Sequence, residues 1–259
     1  MSNLKTSIKI KKLWVSDVAA DGGIGVNWRE IQGGAREATV QFNGSAADVS
    51  NYKNVLGANL ESALSKGDVT LVFQNADLTP ELIAELAGGT VTSDADADSY
   101  DAPINQNQSI EKSIKFLTEK NILFRVPRAS LDAYPMMNDD DLHYYQVDSV
   151  VLLPEKEDVS PFGMDILSSV GAAKNDILTF SFGTIDSGAA TIDTGAHTVA
   201  ITITEASAVG ITPTITVDAG ASISPRGGLS GDYSSPVTHS VEAANGTKQN
   251  WVVTVTTTP

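Results

Sequence analysis

The sequence predicts a mainly β protein made of two units, a β-sandwich or barrel carrying one short helix, followed by a smaller β-sandwich. Three observations carry this reading. Many short runs rich in Val, Ile, Thr and aromatic residues alternate apolar with polar, the two-residue period of a half-buried strand. A single segment has the caps and spacing of a helix. The composition also changes near residue 170: residues 1–170 hold all four Met and a net charge of −11, whereas 171–259 are dominated by Thr, Ala, Gly, Ser, Val and Ile and carry −4. The small polar stretch between Leu167 and Asn175 has linker chemistry, so the expected domains are 1–167 and 175–259, joined by 168–174.

Strand signals open the first domain. Ser7–Val15 alternates loosely. Gly25–Ile31 and Arg36–Phe42 flank Gly33-Gly34, a two-glycine turn that predicts a hairpin. Val69–Gln74, Ile110–Leu117, Ile122–Val126 and Tyr144–Leu153 are further strands, with a tight turn at Glu119–Asn121. The helix begins where Thr79 can cap, Pro80 suits the first helical position and Glu81 complements the positive end. Leu82, Ile83 and Leu86 form its apolar stripe, and Gly88-Gly89 ends it. Two long connections remain, Asn43–Gly67, with a helical turn expected at Leu60–Leu64, and the acidic Thr92–Asn107. Connections of this length in compact domains are usually functional or disordered.

The second domain holds short β runs at Ile177–Phe182, Ala190–Ile192, Thr198–Ile203, Thr212–Val217, Ser222–Ile223, Val237–Ala243 and Gln249–Thr256. That spacing predicts a sandwich of immunoglobulin type without the usual disulfide, because the chain has no cysteine.

Composition excludes several functions. The 259 residues hold 32 acidic against 17 basic side chains, a net charge of −15, which disfavours gripping nucleic acid through its phosphates. Absence of cysteine removes thiolate metal sites and cysteine nucleophiles. The amino terminus has no continuous apolar core of a signal peptide, and no run of 18 apolar residues occurs. His143, His197 and His239 have no metal-binding spacing. Asp94, Asp96 and Asp98 begin like a calcium loop, but Ser99 and Asn105 stand where Gly and Glu are required. Asp139–Asp141 reads as a polar turn. No nucleophile elbow or phosphate loop is present. The expectation is therefore a protein that is not an enzyme, with no catalytic residue, no metal and no cofactor.

The segment Val69–Val91, a strand followed by the capped helix, resembles the strand–helix unit of the tail tube proteins of long-tailed phages. Ser113–Ser130 with Gln146–Pro154 is similar to the carboxy-terminal strands of that family. Ile177–Phe182, Ile211–Val217, Ile223–Pro225 and Gly246–Val255 resemble bacterial immunoglobulin-like repeats, with His239 standing where those repeats often carry Tyr. The resemblance implies a tail-tube-type sandwich or barrel followed by an immunoglobulin-like decoration. It further implies a structural virion protein that assembles in the host cytoplasm into stacked hexameric rings, with tail terminator, distal tail and tape measure proteins as partners. Double-stranded DNA would pass an acidic channel without specific binding, and the second domain would touch cell-surface material. Under that reading the polar strand positions Glu37, Thr39, Gln41, Thr70, Ser113, Gln146 and Asp148 face the channel. Asn43, Tyr52, Lys53, Leu60 and Leu64 lie on a loop reaching the next subunit. The alternatives are a cell-surface adhesin or carbohydrate-binding β-sandwich protein, for which a signal peptide is expected, and the inner tube of a contractile injection system.

Overall fold

The computed structural model describes residues 10–31, 39–46, 48–53, 59–65, 67–94, 96–104, 109–137, 143–168, 171 and 173–258. In chain order the elements are β1 (Ile10–Asp17), β2 (Arg29–Glu30), β3 (Gln41–Gly44), β4 (Asp48–Lys53), β5 (Asn59–Ser65), β6 (Val69–Asn75), α1 (Pro80–Ala87), β7 (Thr90–Ser93), β8 (Asp98–Asp101), β9 (Ile110–Thr118), β10 (Ile122–Met136), β11 (Tyr144–Val151) and β12 (Gly163–Ile166). There follow β13 (Ile177–Ser181), β14 (Thr191–Asp193), β15 (Thr198–Ile203), β16 (Val209–Ile211), β17 (Thr214–Val217), β18 (Ser222–Ser224), β19 (Gly231–Asp232), β20 (Val237–Glu242) and β21 (Lys248–Thr257). The protein is mainly β, with several sheets of sandwich character. Among the described residues no helix is long and apolar enough to cross a membrane.

Two compact units result, one made of Met1–Gln32, Lys112–Arg128 and Pro154–Pro259, the other of Gly33–Glu111 and Ala129–Leu153. In the first unit, β1 lies between β2 and β9, all antiparallel, with Trp14 opposite both Glu30 and Lys115. Strand β9 turns through Asn121, whose φ of 58° closes the tight turn, and the start of β10 pairs with β12. Both faces of β1 and β9 are buried. Lys12 and Trp14, with Lys115 and Leu117, share one face, and Leu13, Val15, Ile114 and Phe116 share the other.

The same unit contains the C-terminal strands. Sheet β14-β15-β21-β20-β18 is antiparallel except for the parallel pair β15–β21, and β13 pairs with β17. Their inward residues close a core around Trp251, Val199, Ile203, Val241 and Val253, each with no accessible surface. The Trp251 indole N–H donates to the Asn175 carbonyl at 3.1 Å. His239 occupies the Tyr-like position noted in the sequence and is fully buried. Its Nδ1 lies 2.8 Å from the Pro225 carbonyl and its Nε2 3.3 Å from the Tyr233 hydroxyl. Since the carbonyl can only accept, Nδ1 carries the proton and the Tyr233 hydroxyl donates to Nε2. Burial holds the imidazole pKa down against that backbone hydrogen bond and pushes the Tyr233 phenol up to about 12, so both stay neutral.

The C-terminal strands meet the polar face of β1 and β9. Lys12 Nζ pairs with Glu242 at 2.8 Å and contacts the Ser222 hydroxyl at 3.2 Å. Lys11 Nζ donates to the Ala244 carbonyl. Trp14, Leu117, Leu123 and Ala244 form a small apolar cluster flanked by Trp28 and Leu167. Gly220 has φ +79°, and a Cβ there would come within 3.0 Å of both Ala244 and Leu167, so glycine is required twice over.

In the second unit, the end of β10 pairs with β11, β11 with β6, and β6 with β3, all antiparallel. Leu71, Phe73, Leu131 and Val147 line its buried side. Helix α1 buries Leu82, Ile83 and Leu86; Thr79 stands at its N-cap without a side-chain cap bond, and Pro80 opens the first turn. Gly89, at φ +96°, follows the helix so closely that a Cβ would lie 2.2 Å from the Asp101 carbonyl.

Several expected elements differ. Gly33 and Gly34, with the start of the expected second arm, lie outside the described residues; among the described residues β2 pairs with β1, and β3 pairs with β6. The long Asn43–Gly67 connection holds the hairpin β4–β5, with strand where the helical turn was expected at Leu60–Leu64. Thr92–Asn107 likewise contains most of the hairpin β7–β8, turned by Asp94, whose carboxylate accepts the Asp96 and Ala97 amides and is held below its usual pKa by them. Strand β10 runs on through Pro127 and Pro135 because proline tolerates extended backbone, and the Pro127 carbonyl accepts the Ser113 hydroxyl. The brief pair β16–β19 has too few residues to signal itself.

Trp251→Ala should destabilise the first unit by about 3–5 kcal/mol, since the indole is wholly buried. Urea unfolding followed by near-UV circular dichroism checks this; a loss under about 1 kcal/mol would contradict the packing described.

Candidate binding cleft

A cleft of about 440 Å³ lies within the first unit. Its walls come from the stretch Ile24–Trp28, from Lys115 on β9, from Leu123 and Arg125 on β10, from Asp165 on β12, and from the run Ile215–Ile223 with Gly227. The lining mixes one large aromatic ring with a few polar groups, the usual make-up of a small-molecule site.

Each wall is fixed by local structure. The stretch before Trp28 presses onto β1 and β9: Gly25 N–H donates to the Ser113 hydroxyl at 2.8 Å, and a Cβ on Gly25 would sit 2.2 Å from the Asp17 carbonyl. Only glycine allows that approach. Asn27 abuts Gly227, where a Cβ would meet Asn27 Oδ1 at 2.5 Å. On the opposite wall, Asp218 Oδ2 accepts the Asp176 amide at 2.8 Å and the Asp218 carbonyl accepts the Ala221 amide, which sets the β17–β18 turn. At the rim Arg125 meets Asp165 through two nitrogens, Nε to Oδ2 at 2.8 Å and Nη2 to Oδ1 at 3.0 Å. Both side chains are partly exposed, so the pair presents a planar polar fork rather than adding much stability.

Lys115 is among the residues that line the cleft. It is 7% exposed, and its ammonium lies 4.7 Å from the centroid of Trp14 and 4.5 Å from that of Trp28. Among the described residues Nζ has neither a hydrogen bond nor an ion pair. Lys12 is its contrast: equally buried, but paired with Glu242 and, at 3.6 Å, with Glu30. Burial pushes the Lys115 ammonium down to about 7, partly opposed by the charge of Glu30 and reinforced by that of Lys12. The two indole faces attract the cationic form, an effect worth up to about 2 kcal/mol when desolvated. Trp14 Nε1 and Asn27 Oδ1 are also buried without a hydrogen-bond partner among the described residues. A cationic donor, an aromatic ring and a guanidinium–carboxylate fork on a cleft of this size can hold a polar ring compound, stacking its apolar face and bonding its oxygens. Among the described residues no cluster of His, Asp and Glu could hold a metal.

The positions expected to face a channel are distributed otherwise. Glu37 lies outside the described residues. Gln41, Thr70, Gln146 and Asp148 do share one face of the second unit's sheet, where Gln74 Nε2 donates to Gln146 Oε1 at 3.2 Å, Gln146 Nε2 to Asp148 Oδ1 at 2.8 Å, and the Tyr134 hydroxyl to Asp148 Oδ2 at 3.0 Å. Thr39 sits outside any strand and accepts the Gln74 amide. Ser113 is fully buried in the first unit and bonded to Gly25 and Pro127, because the polar face of β9 is covered rather than open. Asn43 is in β3, Tyr52 and Lys53 in β4, and Leu60 and Leu64 in β5. The cleft residues Trp28 and Lys115 were not singled out from the sequence. The available signal was Lys115 at a core-facing position between Ser113 and Leu117.

Residues 177–255 match the family model described as SGBP, N-terminal. Among solved structures, a candidate glycoside hydrolase from Bacteroides thetaiotaomicron is similar at 25% identity and a TM-score of 0.31, over 37% of this chain and 28% of that one. A candidate secreted protein from Bacteroides fragilis is similar at 21% identity and a TM-score of 0.28, over 34% of this chain and 99% of that one. No curated protein matches. The chain thus spans little more than a quarter of the first of these structures.

The tail-tube resemblance is corrected by the comparisons, in which residues 177–255 are similar to a family of another kind. With it fall the structural virion role, the hexameric rings, the tail partners, the passage of DNA and the location in a tail. The channel and the next subunit that Glu37, Thr39, Gln41, Thr70, Ser113, Gln146, Asp148 and the Asn43–Leu64 segment were expected to face are parts of that tube. The physical reason is plain in β9 and β10: strand-rich alternation specifies sheets and their faces, and leaves open what those faces meet.

Lys115→Met should raise stability near pH 7 by roughly 1–3 kcal/mol, since it removes an unpaired buried charge while keeping the volume. The folded-state value of about 7 lies below the ordinary 10.5, so the folded chain holds fewer protons between those limits and stability rises with pH across them. Chemical denaturation from pH 6 to 10 should show that rise in the parent chain and a flatter profile in the variant. Equal slopes would show that the ammonium is not desolvated.

Proposed function

We propose that the chain is a non-catalytic, glycan-binding protein of a bacterial cell surface, with the cleft at Trp28 and Lys115 as its sugar-binding site. The observation that carries the reading is the match of residues 177–255 to a family of surface glycan-binding proteins, in the same compact unit as the cleft. The geometry supports it. A pyranose offers an apolar face of C–H groups and a rim of hydroxyls; Trp28 supplies a ring for the first, and the Arg125–Asp165 fork with the Thr216 and Ser222 hydroxyls supplies partners for the second. The two carboxylates that line the cleft are engaged within the chain, Asp165 by Arg125 and Asp218 by the Asp176 amide, and the reading assigns no catalytic residue. Residues 175–259 are further proposed as a folding unit in their own right, supported by the complete core around Trp251.

Isothermal titration against a panel of neutral and acidic oligosaccharides tests the proposal. Trp28→Ala should weaken binding of any sugar that binds by about tenfold or more, as expected when a stacking ring is removed, while the fold measured by circular dichroism is kept. Undiminished binding in that variant would move the site elsewhere, and absence of binding to every sugar in the panel would defeat the reading.

A further inference from the structure

We propose that the cleft is selective for sugars bearing a carboxylate, and that Lys115 is the residue that selects them. This rests on the glycan-binding reading and names the ligand class of the same cleft. A buried ammonium without an anionic or hydrogen-bonding partner is costly, and folded chains normally pair such a group or exclude it. Here the chain does neither. It packs Lys115 Nζ between Trp14 and Trp28 and leaves it lining a cleft open to a ligand. Two indole faces keep an ammonium tolerable without satisfying its three N–H donors. A ligand carboxylate within reach would accept from those donors and supply the missing charge.

The neighbouring charges fit this assignment. On β1, Lys12 faces the same region but is committed to Glu242 and Glu30. On β10, the Arg125 guanidinium is committed to Asp165 of β12 at the rim. From the β17–β18 turn Asp218 contributes a carboxylate already engaged by the Asp176 amide. Lys115 is thus the group lining the cleft whose charge is uncompensated at short range. The net charge of −15 repels anions at long range, but that repulsion is screened over about 8 Å at physiological ionic strength, whereas a desolvated contact is screened far less. A hydrogen bond between charged partners in such a site also outweighs one to a neutral hydroxyl.

The proton balance gives the proposal its signature. Unoccupied, the Lys115 amine is protonated below about pH 7. An anionic ligand stabilises the ammonium and raises that value, so binding above pH 7 takes up a proton. Affinity is then full below pH 7 and falls as pH rises above it.

The test is titration calorimetry of the full chain with oligogalacturonate and with the neutral galactose oligomer of equal length, at pH 6.0 and 8.5, in the parent, Lys115→Met and Lys115→Arg. The expected result is oligogalacturonate binding at least about tenfold tighter than the neutral oligomer at pH 6.0. That preference should shrink at pH 8.5 in the parent, vanish in Lys115→Met at both pH values, and persist at pH 8.5 in Lys115→Arg, whose guanidinium does not titrate. Thermal melting confirms that each variant is folded. Equal binding of the two oligomers, or a preference unchanged in Lys115→Met, overturns the proposal and leaves the glycan-binding reading standing. Binding of neither oligomer, nor of any sugar in the wider panel, overturns both.

Discussion

The burial of β1 and β9 on both faces is the constraint from which the rest of the first unit follows. A two-sided strand cannot present one side to water, so the face holding Lys12, Trp14, Lys115 and Leu117 must be covered. The C-terminal strands supply that cover through Ala244, Glu242, Ser222 and Gly220. Covering a face that carries two lysines forces each to find a partner. Lys12 finds carboxylates and Lys115 finds only aromatic rings. The cleft is what remains where the cover is incomplete, and its chemistry is that of the leftover lysine.

Glycine placement shows how closely the parts must approach. Gly25 lets the segment before Trp28 lie on the sheet, and Gly220 lets the β17–β18 turn reach Leu167 and Ala244. A side chain at either position would push a wall of the cleft outward. The ring of Trp28 and the carboxylate of Asp218 owe their positions to backbone approaches that no other residue permits.

Much of the fold was legible in the sequence. Thr198–Ile203 was bounded as observed, the helix stripe Leu82, Ile83 and Leu86 is buried, and the C-terminal strand pattern closes its own core. Those features depend on local periodicity and caps. The partnerships of β2 and β3, the strand running through Pro127, and the hairpins within Asn43–Gly67 and Thr92–Asn107 were not legible, because they depend on which distant strand offers the better-buried edge. The site was legible only in parity. Ile110–Leu117 was expected as a strand with Ser113 on its polar face, but nothing local distinguishes a polar face open to solvent from one covered by Trp14, Trp28 and a second sheet. A resemblance of sequence segments therefore pointed to a tube, while the residues that fill the covered face line a cleft.

The most direct measurement of the central claim is a two-dimensional proton–nitrogen spectrum of the indole groups during titration with the oligosaccharides. The chain has three tryptophans, so three indole signals report on it. Trp28 borders the cleft, Trp14 stands behind Lys115, and Trp251 is enclosed in the separate core and bonded to Asn175. Shifts of the Trp28 signal, with a smaller response from Trp14 and none from Trp251, are the predicted result. A bound sugar that leaves the Trp28 signal unmoved would contradict the assignment of the cleft.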